Sequence, residues 1–214
     1  MDLDNPVVRL CGEGMRAEVE GRPDDARALF TQAWEQASDD YEACVAAHYL
    51  ARHQPTVADR LYWNRVCLQR ADAVGDERVA AFYPSLHVAL AHCHRELGNI
   101  YAAARHFRHA ADHLDALPTG PYGEWLRYTV AEGLRDTGAL VRTPGEERLA
   151  QLLESLCERK DLRSLALPLP AFVGNLGTPS DHERLAQAAQ QLHAEQRLSP
   201  QEQEALRHAV AALP

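Results

Sequence analysis

Sliding the 214-residue sequence against itself by 77 positions superposes Gly21 on Gly98, Ala26 on Ala103, Phe30 on Phe107 and Ala33 on Ala110. This pattern constrains what the chain can fold into. The glycine closes a tight turn between two antiparallel helices, the alanines let their backbones approach, and the phenylalanine fills the gap that remains. The surrounding text agrees: residues 5 to 116 carry Ala, Leu, Arg and Glu at helical spacing, with Gly and Pro confined mostly to short breaks. No segment alternates apolar and polar residues for long enough to make a strand. The sequence therefore predicts an all-α chain.

Gly14, Ala17, Gly21, Ala26, Phe30 and Ala33 follow the small, small, turn-glycine, small, aromatic, small order of the tetratricopeptide repeat (TPR). Ala91, Gly98, Ala103, Phe107 and Ala110 repeat it, and Ala17 and His94 stand where that repeat has a first-helix aromatic. The chain thus resembles the tetratricopeptide family over about two thirds of its length, strongly in these two hairpins and weakly in two more. The resemblance implies a right-handed α-solenoid of TPR-like helical hairpins over 5–159. A solenoid leaves an apolar face at its end, so 160–214 is expected to form a C-terminal helical cap, with a small helical subdomain as the competing reading.

The spacing predicts helices over 40–53 and 57–74, broken at Gln54-Pro55 and ended by Gly75. A fourth hairpin is expected from Tyr122 to about Arg159, turning at Gly138. Within it, Thr143-Pro144-Gly145-Glu146 supplies an N-cap, a first-turn proline and a capping-box glutamate. Two prolines interrupt the apolar run Leu165–Val173 and exclude a long regular helix there. Two helices follow, over about 180–195 and from the capping box Ser199-Pro200-Gln201-Glu202 to about Ala212.

Charge narrows the class of partner. A formal net charge of -9 and a pI near 5.6 remove the attraction that a phosphate-backbone binder depends on, so nucleic acid is not an expected partner. The N-terminus Met1-Asp2-Leu3-Asp4 is acidic where a secretory signal is basic, and no stretch approaches the ~18 apolar residues of a membrane span. The expected location is the cytoplasm, which suits five cysteines (Cys11, Cys44, Cys67, Cys93 and Cys157) scattered with no C-x-x-C pair. Most of them are expected to be small buried apolar residues. The 22 basic residues are all arginine except Lys160, which leaves Schiff-base chemistry and a P-loop almost without a candidate.

In a stack of TPR-like hairpins the first helix of each lines the concave side. The register of the glycines then gives four rungs: Cys11, Met15 and Glu18; Cys44, His48 and Arg52; Val88, His92, Arg95 and Glu96; Tyr128, Glu132, Arg135 and Asp136. Such a mixed groove can hold a peptide or protein segment, with Arg52, Arg95 and Arg135 gripping a carboxylate bidentately. Alternatively these arginines pair with Glu18, Glu96, Glu132 and Asp136 as a solvated wall. The functional expectation is a non-enzymatic scaffold or regulator, in which a homo-oligomer is compatible with the groove. The other reading is a small-molecule pocket or modest acid–base catalyst using His48, His92, Glu132 and Tyr128.

Six of the eleven histidines (His87, His92, His94, His106, His109 and His113) fall in one hairpin. His106, His109 and His113 form a narrow stripe, the spacing two imidazoles need to share an ion. The stripe is turned by roughly a quarter circle from Phe107, and Arg105 and Arg108 flank it, so it is expected to face solvent or a flank. His48 and His92, with Glu132 on the next rung, could bind a metal or shuttle protons, but isolated groove histidines are the expectation. No metal or cofactor is therefore expected. The chain has no G-x-S-x-G, H-E-x-x-H or D-x-D-x-D-G motif, and Gly12-Glu13-Gly14 lies inside a helix, where close packing explains it.

Overall fold

A computed structural model of the protein describes residues 4–213, and among them every regular element is a helix. The chain divides into two compact units that meet at Leu126 and Arg127. The first contains α1 (Pro6–Val19), α2 (Pro23–Gln36), α3 (Asp40–Arg52), α4 (Val57–Val74), α5 (Glu77–Ala80), α6 (Tyr83–Glu96) and α7 (Ile100–Asp112). A single 3-10 turn, Leu114–Ala116, precedes α8 (Pro121–Asp136), which runs across the division. The second unit continues with α9 (Pro144–Glu158), α10 (Leu162–Leu165), α11 (Pro168–Val173), α12 (Pro179–Ala194) and α13 (Pro200–Val210). The expected boundary at 159/160 therefore falls inside the second unit.

Most of the helices begin where a side chain satisfies their first free N–H groups, though α2, α6 and α11 do not. Asn5 accepts from the amides of Val7 and Val8, Asp39 from Glu42, Thr56 from Asp59 and Asn99 from Ala102. Thr143 with Glu146 and Ser199 with Glu202 close the two capping boxes that the sequence contains. The α4 helix ends at Gly75, which adopts φ +63° and donates its amide to Ala71.

Gly21 and Gly98 are the same corner. Their φ angles are +74° and +75°. Gly21 donates to the Glu18 carbonyl and Arg22 to that of Ala17, while Gly98 donates to Arg95 and Asn99 to His94. This is the double bond of a Schellman ending, which needs a left-handed residue that only glycine adopts without strain. Gly138, with φ +69°, repeats the arrangement after α8, its amide bonding Arg135 and that of Ala139 bonding Leu134.

In the first unit α1 packs on α2, α3 on α4 and α6 on α7, and each hairpin packs on its successor through α2 with α3 and α4 with α6. Phe30 and Phe107 are fully buried, as are Ala26, Ala33, Ala103 and Ala110 around them. A Cβ on Gly14 would lie 2.3 Å from the Phe30 ring, so this position holds the close approach of α1 to α2. Gly12 has nothing within 4 Å of such a Cβ, so packing accounts for one glycine of the pair and not for the other. Cys11, Cys44, Cys67 and Cys93 are buried thiols and Cys157 is exposed. The Cys67 thiol donates to the Cys44 carbonyl at 3.2 Å.

The second unit is built on α9, which packs against α13 and α10, with α12 closing on α11 and α13. Leu149, Leu156, Leu185, Leu192 and Leu206 form its core with Phe172. Both prolines of the 165–173 run fall in the first turn of the short helix α11, Pro168 as its first residue and Pro170 as its third, where no intrahelical N–H is needed.

Candidate functional site

Glu18 of α1 joins the first two hairpins. Its carboxylate accepts two hydrogen bonds from Nη2 of Arg52, at 2.8 and 3.0 Å, and one from Nε2 of His53 at 2.7 Å. The Arg52 guanidinium lies 5.0 Å from the centroid of Tyr49, one helical turn earlier, whose ring stacks on Phe30. Arg52 is thus held by a carboxylate and an aromatic face together while half its side chain remains in solvent. Met15 is exposed on the same helix as Glu18, one turn before it.

On α6, Nη2 of Arg95 donates to Nδ1 of His92 at 3.3 Å, which leaves the His92 proton on Nε2. The His92 ring meets the buried Phe107 edge-on. Glu96 pairs with Arg60 of α4. The internal pairing of groove arginines is therefore realised at Arg52, while Glu96 is held by an arginine outside the expected rungs.

His48 takes no part in a polar cluster. Its ring is edge-on to both Tyr49 and Phe82, and its buried Nδ1 has no hydrogen-bond partner. Burial, with the nearby Arg52 charge, pushes its pKa down to about 4, so it is neutral at pH 7. Cys11, Cys44 and Val88, the innermost residues of their rungs, are buried in the core. Among the described residues no group of three His, Cys, Asp or Glu side chains is arranged to hold a metal ion.

The fourth rung belongs to the second unit. Gly174 packs directly on the Tyr128 ring, where an added Cβ would lie 3.0 Å away. Arg135 donates to the carbonyls of Phe172, Val173 and Asn175, at 3.2, 3.3 and 2.9 Å. Its fork thus ends α11 by satisfying carbonyls that the helix leaves open, and Glu132 remains exposed. A cleft of about 850 Å³ lies between α9 and α13, lined by Arg148, Gln151, Ser155, Glu202 and His208, and by none of the expected groove residues.

The histidine stripe of α7 does not face solvent alone. His106 turns toward α6, its Nδ1 3.1 Å from Nδ1 of His87, and its ring stacks on His94. His113 stacks on Tyr83, and His109 lies 5.2 Å from His87 between ring centroids. A quarter turn from Phe107 still reaches the neighbouring helix, because His87 and His94 project from α6 to meet it.

Tyr49, His53 and Arg60 lie outside the four expected rungs. The i, i+3 spacing of Tyr49 and Arg52 was the available signal for the first of these, whereas Arg60 and Glu96 meet across 36 residues with no local mark. No helix among the described residues is long and apolar enough to cross a membrane. No protein-family model, curated protein or solved structure matches the chain.

Proposed function

We propose that this protein is a cytoplasmic, non-enzymatic scaffold of the tetratricopeptide type that grips a protein or peptide segment along α1, α3 and α6. The observation that carries the reading is the paired corner at Gly21 and Gly98, each followed nine residues later by a fully buried phenylalanine. Two hairpins built alike present the polar ends of their first helices, Glu18 and Arg95, at matching positions. Arg52 supplies the recognition chemistry. A carboxylate on the partner would displace Glu18 from a guanidinium already oriented by Tyr49, exchanging one charge-assisted pair for another. Acid–base catalysis has less support, because His48 is neutral and enclosed by Tyr49 and Phe82.

The test is charge reversal. Capture of the partner by the purified protein should fall at least tenfold with Arg95→Glu, while helicity and melting temperature stay nearly unchanged, as surface substitutions allow. Arg108→Glu, on the exposed side of α7, should leave capture intact. Equal loss in both variants would show that the groove does not run along α6.

A further inference from the structure

The structure assigns a second role to the third hairpin: we infer that the imidazole stack between α6 and α7 is an acid-triggered latch that holds this hairpin closed only while its histidines are neutral. Its consequence for a bound partner rests on the groove reading above, since α6 also carries His92, Arg95 and Glu96.

Geometry sets the limit on protons. Nδ1 of His87 and Nδ1 of His106 stand 3.1 Å apart, a distance that holds one N–H···N hydrogen bond and therefore one proton. The donating ring can take a proton on its Nε2 and keep this bond, but protonation of the accepting ring as well sets one N–H against another across the helix interface. Stacking multiplies the effect, because His106 lies face to face with His94 at 5.4 Å, and His87 with His113 at 6.1 Å. Each imidazolium formed in the stack would face another ring that is itself becoming charged.

The surrounding charges do not relieve this. From α7, Arg105 opposes protonation of His94 and His106, and from α4, Arg65 opposes that of His94. Asp72 of α4 and Asp112 of α7 act the other way on His87. Asp72, however, also accepts the Tyr83 hydroxyl at 3.0 Å, and Asp112 is exposed beside His109. Burial and then the neighbouring imidazoles push His87 down to about 4, and burial, His87 and His94 do the same for His106.

Both folded values lie below the ~6.5 of a free histidine, so the open hairpin binds protons first. The closed form is fully favoured above about pH 6.5 and loses ground as pH falls from there through about 4. Each of the two histidines should raise the open-to-closed ratio by up to about tenfold per pH unit within that window.

Hydrogen exchange read by mass spectrometry on the full chain, corrected for the intrinsic pH dependence of exchange, tests the latch without any partner. Between pH 6 and pH 5 the amides of α6 and α7 should lose protection by roughly ten- to a hundredfold. The His87→Phe/His106→Phe variant keeps two flat rings and removes their protons, so it should hold its protection to pH 4.5. Unchanged protection in the wild type, or equal loss in the variant, overturns the latch. Ring titration of the wild type by NMR covers a variant that fails to fold: His87 and His106 must take up protons together with the loss of protection, and titration inside an intact hairpin overturns the proposal. A partner captured at pH 7, released at pH 5 and retained by the double variant extends the latch to the groove. Retention by a hairpin shown to be open refutes that extension and leaves the latch itself standing.

Discussion

Phe30→Ala should lower the stability of the protein by about 3–5 kcal/mol, and Phe107→Ala by a similar amount, because each deletes a fully buried aromatic ring and leaves a cavity between two helices. Typical native stabilities are about 5–15 kcal/mol, so either loss removes a large share of the total. The site around Phe30 has little room to collapse. Its ring is stacked on Tyr49 with centroids 5.3 Å apart and lies 5.1 Å from His53, and both neighbours are tied to Arg52 and Glu18 on the surface. Gly14 offers an independent check from the opposite helix. Gly14→Ala drives a methyl group into the Phe30 ring and should cost about 1–3 kcal/mol by overpacking. Because one clash is shared, Gly14→Ala and Phe30→Leu should be non-additive, the smaller side chain making room for the added methyl. Urea unfolding of the four proteins measures this. Strict additivity, or a loss under about 1 kcal/mol for Phe30→Ala measured alongside, would mean that the Gly14–Phe30 contact does not hold α1 on α2.

The parts of this architecture that were legible in the sequence are those whose cause is local. Gly21, Gly75, Gly98 and Gly138 occupy the left-handed positions expected of turn glycines, because each ending is decided within about six residues. The capping boxes at Thr143 and Ser199 and the break at Pro55 are equally short-ranged. Arg135 shows where this reasoning stops. Spacing assigns it to the concave side of a first helix, free to grip a carboxylate, but its fork is taken by carbonyls 37 to 40 residues later, at the end of a helix too short to announce itself. The histidine stripe shows the same limit: His109 and His113 are exposed and His106 sits at a flank, as its angle implies, but what that flank meets was hidden. Its angle from Phe107 was readable, whereas the side chains that α6 would bring against it were not, because two histidine-bearing helices carry no mark of which rings will meet. Burial of His48 is a third case. One position on a helix can face a groove or a neighbouring aromatic, and only the placement of Phe82 by the next hairpin decides between them.

Asp181→Ala should destabilise the second unit by about 3–5 kcal/mol, the range for breaking a buried ion pair from one side. Only 2% of the Asp181 side chain is exposed, and it gathers four donors: Arg127, the Leu176 amide, the Thr178 hydroxyl and Arg184. Truncation leaves the Arg127 guanidinium without its counter-charge while its Nε remains committed to the Gly174 carbonyl at 2.9 Å. It also frees the Leu176 amide beside the start of α12. Asp181→Asn keeps the shape and several of the hydrogen bonds but removes the charge, so its loss should be smaller than that of the alanine variant. Equal losses would show that the charge carries the whole contribution and that shape and neutral hydrogen bonds add nothing. The pH dependence separates this network from the histidine latch. Burial pushes the Asp181 carboxyl up, but the Thr178 and Leu176 hydrogen bonds and the Arg127 charge outweigh it and hold its pKa below the ordinary carboxylate value. Its contribution is therefore complete above about pH 4 and is lost only as pH falls further, through that lowered value. Acid should accordingly act on the protein in two steps. Protection in α6 and α7 should fall first, in the window set by His87 and His106, and the second unit should follow only below it. In Asp181→Ala the lower step should shift toward neutral pH while the upper one stays where it is. Movement of both steps together would mean that α6 and α7 take no part in an acid opening of their own.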